Sequence, residues 1–270
     1  MTHELPVAKA HAYGNDFLFV PLDRTRGDLP SLARALCDRH TGIGADGLIL
    51  YSLRDRGATM KLLNADGSVS ELSGTGVRCL AALAARTQGL RAGETMIVDT
   101  DAGTLALALL SEDGGRHTFR TAIGQPADIE QVQIPVHGEV ITATTLRMGN
   151  PQCIVLGPLP DAERFGRLGP ALSTHPRFPA GTNVEFVQVE SPHLVRILIW
   201  ERGVGPTTSS GTGSSASAVA AAAHGGASRS VEVVAPGGIQ SVDWTDDGVF
   251  LTGWAEVVME GHWVRDANIP

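Results

Sequence analysis

Two short stretches of the chain share a pattern with chemical content. One is Ser73-Gly74-Thr75-Gly76-Val77 and the other Ser210-Gly211-Thr212-Gly213-Ser214; each sets serine before Gly-Thr-Gly and then enters an Ala-rich segment. A glycine-rich turn that opens a helix exposes backbone N–H groups, and the helix dipole adds partial positive charge at the same point. Such a place receives an anion, often a phosphate or carboxylate. Two of them converging on one cleft would hold one carboxylate from both sides, with a serine on each face. That arrangement suits stereoinversion, in which one group removes a proton from a carbon and another returns one to the far face. The plainer reading of either serine is a helix N-cap. A P-loop is excluded because the G-x-x-x-x-G-K lysine is missing. Neither serine lies in G-x-S-x-G: Glu71 and Leu72 precede Ser73, and Ser209 precedes Ser210.

The elements around these turns repeat. Val77–Leu90 and Ser215–His224 read as helices apolar nearly all round, hence buried. Leu29–Arg39 has helical spacing, and Asp161–Leu172 is a further helix candidate. Most other apolar runs are short and rich in β formers, among them Phe17–Pro21, Leu48–Ser52, Val184–Val189 and Val195–Trp200. Two more echoes support duplication: Gly14-Asn15-Asp16 near the start against Gly149-Asn150-Pro151 after the midpoint, and Asn64-Ala65-Asp66 against Glu201-Arg202-Gly203, each nine residues before its serine. The expected fold is α/β (α+β): two similar halves, each running strands, turn, buried helix, strands, and facing each other across a cleft. Residues 1–115 plus about 257–270 form the expected first half, and 116–256 the second.

Composition sets bounds. The 270 residues are 43% hydrophobic and 19% charged, a balance that supports a real core. A net charge of -8 with no basic run argues against a nucleic-acid partner. No segment reads as a signal peptide or as a membrane span. Cys37, Cys79 and Cys153 form no metal or redox spacing and read as small buried hydrophobes in a reducing, cytoplasmic setting.

Taken together, the motifs resemble the diaminopimelate epimerase family. They run in order from Gly14–Phe17 through Asp38–Gly47, Asn64–Ser68, the Ser73 turn with Arg78-Cys79, Met148–Pro151, Gly181–Phe186 and Glu201–Gly205 to the Ser210 turn. The resemblance implies two pseudosymmetric halves, each a barrel-like mixed sheet around a central helix, and a cofactor-independent isomerase, cytoplasmic and homodimeric, in lysine and cell-wall precursor synthesis. It implies no cofactor, no metal, no membrane and a small amino-acid substrate. Asn15, Asn64, Asn150, Asn183, Glu201 and Arg202 would hold that substrate, and the amides at Gly74, Thr75, Gly211 and Thr212 would grip the carboxylate of the reacting carbon.

One departure matters most. The family's chemistry rests on a cysteine at the head of each turn, and here Ser73 and Ser210 stand there. A thiol of pKa about 8.5 supplies a thiolate at modest cost, whereas a serine hydroxyl needs a partner base. Ser73 and Ser210 are therefore the candidate acid/base positions, with Glu201 as the nearest retained carboxylate to assist. Thr75, Gln152 and Pro206 also stand where the family usually has Asn, His and Glu, a drift that fits natural divergence better than an engineered pair. Two alternatives remain open: a relative that binds an amino acid or small carboxylate without turnover, and an isomerase of a substrate with a more acidic C–H.

Overall fold

A computed structural model describes residues 4–70 and 73–264. The chain divides into two units: the described residues of Met1–Thr121 with those of Trp254–Pro270, and Ala122–Gly253. The first unit contains β1 (Leu5–Ala12), β2 (Asn15–Pro21), α1 (Leu29–Cys37), β3 (Gly47–Arg54), β4 (Gly57–Asn64), β5 (Val69–Ser70), α2 (Gly74–Gln88), β6 (Thr95–Thr100) and β7 (Gly103–Asp113), and most of β8 (Arg116–Gly124). The second contains β9 (Ala127–Val136), β10 (Glu139–Met148), β11 (Asn150–Leu156), α3 (Ala162–Ser173), β12 (Asn183–Ser191), β13 (Leu194–Glu201), β14 (Gly205–Thr207), α4 (Gly211–His224), β15 (Ser230–Ala235) and β16 (Gly238–Thr245). The last strand, β17 (Gly248–Trp263), begins in the second unit and ends in the first, where it pairs antiparallel with β1.

The halves are built alike. In the first, β2 and β3 pair in parallel with α1 as their connection, and β4 and β6 pair in parallel on either side of α2 in sequence. In the second, β11 and β12 pair in parallel across α3, and β13 and β15 do so across α4. The outcome is the expected one, two pseudosymmetric halves, each a barrel-like mixed sheet around a central helix.

Strand alternation explains why β3 is apolar at every position of Leu48-Ile49-Leu50. Leu48 and Leu50 pack with Leu32 and Leu36 of α1, while Ile49 packs with Val77 and Leu80 of α2. A strand covered on both faces has no polar side. In β12 the same alternation sends Val184 and Phe186 to the α3 side with Leu168 and Leu172, and Val187 to the α4 side with Val219. Truncating a fully buried anchor such as Leu80 removes its packing and leaves a cavity, at a cost of about 2–5 kcal/mol.

The central helices start earlier than their apolar pattern predicts, at Gly74 and Gly211 rather than at Val77 and Ser215. Glycine is a poor helix former, so sequence spacing leaves Gly-Thr-Gly as a turn. A capping serine and burial override that preference, and the glycines become the first helical turn. α3 runs over Ala162–Ser173, capped by Asp161, whose side chain accepts from Arg164 N.

Candidate active site

The two serine heads have matching geometry. Ser73 caps α2 at φ -133 and ψ 116, and Ser210 caps α4 at φ -145 and ψ 124. Ser73 Oγ accepts from Gly76 N and Ser210 Oγ from Gly213 N, at 3.1 Å each. A hydroxyl that accepts in this way keeps its own proton to donate. The amides of Gly74 and Thr75, and of Gly211 and Thr212, belong to the first helical turn, where backbone N–H groups have no intrahelical acceptor. Each turn thus presents an anion-binding edge beside a hydroxyl, at the end of a buried helix.

In the first half an ionic cluster sets the asparagines. Asn15 Nδ2 donates to Asp46 Oδ2 at 2.7 Å. Asp46 also accepts from Arg39 at 2.8 Å, and its carbonyl accepts from Ala65 N, which fixes the loop beside Asn64. Arg39 reaches Asp16 through both terminal nitrogens, and Lys9 lies 2.8 Å from the same carboxylate. Burial alone would push the Asp16 carboxyl up; the hydrogen bonds from Arg39 and Lys9 outweigh it and hold Asp16 below its usual range. Asn64, at the end of β4, donates to Ser68 Oγ.

In the second half the partners are mostly neutral. Asn183 is buried at the start of β12, and its Oδ1 accepts from Arg202 N at 2.9 Å. Arg202 also donates through Nη1 to Ala180 O, so its guanidinium is fastened to the loop before β12. Glu201 ends β13. Asn150 opens β11, and its Oδ1 lies 2.6 Å from the Gln152 amide.

One group was not singled out by its sequence. Glu185 lies in β12 with no exposure at all. Its position places it on the α4 face, and a Cβ built on Gly213 would meet Glu185 Oε1 at 2.5 Å and Ser210 Oγ at 3.0 Å. Burial, and then the nearby Glu201 charge, push its carboxyl well above the usual range. The signal was present as a lone carboxylate inside the apolar run Asn183-Val184-Glu185-Phe186-Val187. In the first half the matching glycine, Gly76, would place its Cβ 2.9 Å from Ile49 Cδ1 instead.

The cysteines do not take the place of the missing thiols at the turns. All three are buried and free; burial pushes Cys37 and Cys153 up to about 12 and Cys79 higher still. Among the described residues no cluster of His, Cys, Asp or Glu is set to hold a metal ion, and no helix is long and apolar enough to cross a membrane.

The sequence profile of the family described as diaminopimelate epimerase matches residues 7–126 and 144–260. The chain belongs to the diaminopimelate epimerase family. A diaminopimelate epimerase from Desulforudis audaxviator is 44% identical over 277 residues, covering 95% of this chain and 98% of that one. Another from Desulfitobacterium hafniense is 39% identical over 285 residues, covering 97% and 99%. Among solved structures, a hydroxyproline epimerase from Agrobacterium vitis shares the fold with a TM-score of 0.72 at 16% identity, covering 100% of this chain and 95% of that one.

Proposed function

We propose that the protein is a diaminopimelate epimerase-like isomerase that moves a proton at the α carbon of LL- or meso-diaminopimelate or a related amino acid. The observation that carries this reading is the pair of serine-capped Gly-Thr-Gly turns, alike in backbone and each heading a buried helix, within a chain of that family. The amides of Gly74, Thr75, Gly211 and Thr212 bind the α-carboxylate and take up the charge that develops on it as Cα–H is broken. Ser73 and Ser210 occupy the two acid/base positions, and Glu201 supports them. Asn15, Asn64, Asn150, Asn183, Glu201 and Arg202 hold the substrate, with Arg202 and the asparagines on its distal amino-acid end. The reaction needs no pyridoxal phosphate, since the proton leaves and returns through side chains. A cytoplasmic homodimer in lysine and cell-wall precursor synthesis is part of the same reading.

A second reading is supported by the capping geometry. Each serine keeps an O–H to donate, and a donor beside a carboxylate-binding edge serves ligand binding without turnover. The two readings separate in deuterated buffer. Incubation with LL-diaminopimelate and a panel of amino acids, followed by proton NMR or mass, is expected to show solvent deuterium at Cα with epimer formation. Binding without deuterium uptake from any candidate rejects the isomerase and leaves the binding protein.

A further inference from the structure

We propose that Glu185 is the proton partner of Ser210: a neutral carboxyl group, buried behind the first turn of α4, that returns a proton to the serine after the serine has given one to substrate. This rests on the isomerase reading above and assigns a role to a residue outside the set named there. Glu185 is a positioning and proton-holding residue that acts through Ser210.

The hydrogen-bond inventory around Glu185 carries the assignment. The Gln152 amide, itself buried, is wedged between Asn150 and Glu185. One end lies 2.6 Å from Asn150 Oδ1 and donates to it through Nε2. The other end lies 3.1 Å from both Glu185 oxygens. With Nε2 toward Asn150 the amide oxygen faces the two carboxyl oxygens; with the amide turned, Nε2 faces them instead. In the first orientation the contact needs a proton, which Glu185 carries; in the second the amide donates to an ionised Glu185. Turned end for end, Gln152 would donate to an ionised Glu185 but set its own oxygen against Asn150 Oδ1, and Asn150 would have to turn as well. Each arrangement satisfies every group, so Gln152 and Asn150 can hold Glu185 with its proton or without it. The two amide orientations then correspond to the two protonation states of Glu185.

The surroundings agree. Glu185 is faced by Gln152 and Cys153 from β11, by Glu201 from β13, by the capping Ser210 and by Gly213 from α4. Cys153 stays a neutral thiol, and Glu201 adds like charge, so these neighbours disfavour ionisation. Gly213 is what allows the approach: any Cβ there would occupy the space into which Glu185 Oε1 and Ser210 Oγ both reach. A turn of the Ser210 side chain or one bridging water closes the remaining gap.

The step balances. Ser210 O–H gives its proton to the planar carbanion, forming the new C–H bond. The serine oxygen takes a proton from Glu185 Oε, and the negative charge that lay on carbon ends on the Glu185 carboxylate. That carboxylate then accepts from Gln152 once the amide turns. In the reverse direction Glu185 is the base. A bare serine alkoxide is never left standing, which is the difficulty that the loss of the cysteine creates.

The test compares wild type, E185Q, E185D, S210A and S210A/E185Q in deuterated buffer across pH, with ligand affinity measured alongside. Gln at position 185 can donate to the Gln152 oxygen as a protonated Glu does, so E185Q keeps the neutral structure and loses only the exchangeable acid. Exchange at Cα is expected to fall by at least about 100-fold in E185Q, with affinity changed less than about threefold and the pH limb of wild type gone. E185D is expected to retain part of the rate, and the double variant is expected to be no slower than S210A, as for groups that act as one unit. Wild-type rate and pH profile in E185Q would overturn the proposal. Infrared difference spectra give a readout free of turnover: a carbonyl stretch of a protonated carboxyl at neutral pH, absent in E185Q and shifted in S210A. If wild type shows no exchange, the isomerase reading fails and the band decides on Glu185 alone. A band missing at neutral pH, or indifferent to S210A, rejects the coupling.

Discussion

The first turns of α2 and α4 are near copies in backbone and opposites in what stands behind them. Both begin with a serine whose Oγ accepts from the amide three residues on, at the same distance. Behind Gly76 lies the Ile49 methyl; behind Gly213 lies the Glu185 carboxyl. The asparagines are held differently too. Asn15 is set by the charged cluster of Asp46, Arg39, Asp16 and Lys9, and Asn150 by the neutral amide of Gln152. Pseudosymmetry here constrains the backbone, because a capped helix in a barrel-like sheet has few solutions. It does not constrain the chemistry, because one side chain behind each turn can change without disturbing the cap.

The largest effect should come from returning thiols to both heads. S73C/S210C is expected to raise the rate of Cα deuterium exchange by roughly 100-fold or more, since a thiol ionises where a hydroxyl does not. The single variants sharpen the contrast: S73C should contribute the greater share, because Ser73 backs onto Ile49 and Ser210 already has Glu185 beside it. Equal gains would argue that the two turns are chemically alike.

Next comes the ionic cluster. D16N is expected to cost about 2 kcal/mol in chemical denaturation, since it strands Arg39 and Lys9 without their shared partner. The Asp16 carboxyl is held below its ordinary value of 3.8 in the folded state, so its contribution is present above that pH and lost as pH falls below it. Glu185 has the opposite sign. Its folded-state value is raised above the ordinary 4.5, so it leaves stability intact below that pH and erodes it as pH rises. E185Q is therefore expected to gain on wild type in melting temperature above about pH 4.5, while D16N loses to wild type over the same range.

Adding a methyl to each turn is a smaller perturbation. G213A must push the Glu185 carboxyl off the Gln152 amide and is expected to lose about 2 kcal/mol. G76A meets the end of Ile49 at 2.9 Å and Ser73 Cβ at 3.3 Å but no charged or hydrogen-bonded carboxyl, and the better helix propensity of alanine offsets most of that crowding, so its melting temperature should stay close to wild type. Smallest is S217A in the middle of α4. Ser217 is fully buried and its Oγ has no hydrogen-bond partner among the described residues, so alanine should raise stability by about 1 kcal/mol in urea unfolding.

Much of this was legible in the sequence. The serine turns, the buried Ala-rich helices behind them and the echo of Asn15 in Asn150 give the duplicated architecture, because each is a local pattern with one physical reading. Other features were not. Glu185 reads as part of a family motif, and nothing local says that it faces Gly213, 28 positions later in sequence. Asp46 joins Asn15 across 31 residues of chain and Arg39 joins Asp16 across 23, distances over which charge pattern carries no geometry. The helix starts were misplaced by the glycines, whose poor propensity loses to a cap and a buried environment.

The path of β17 bears on how the protein is made. The first half is synthesised early, yet β1 has no partner on its outer side until the last strand arrives, and Tyr13 OH accepts from Trp254 N across 241 residues of chain. As the chain leaves the ribosome, that half waits with an open strand edge while the second half can already close on local pairings. Such long-range closure is slow. A newborn chain therefore exposes its start as a template for wrong pairing until its end is delivered, and a ribosome that stalls before β17 releases a half-built barrel.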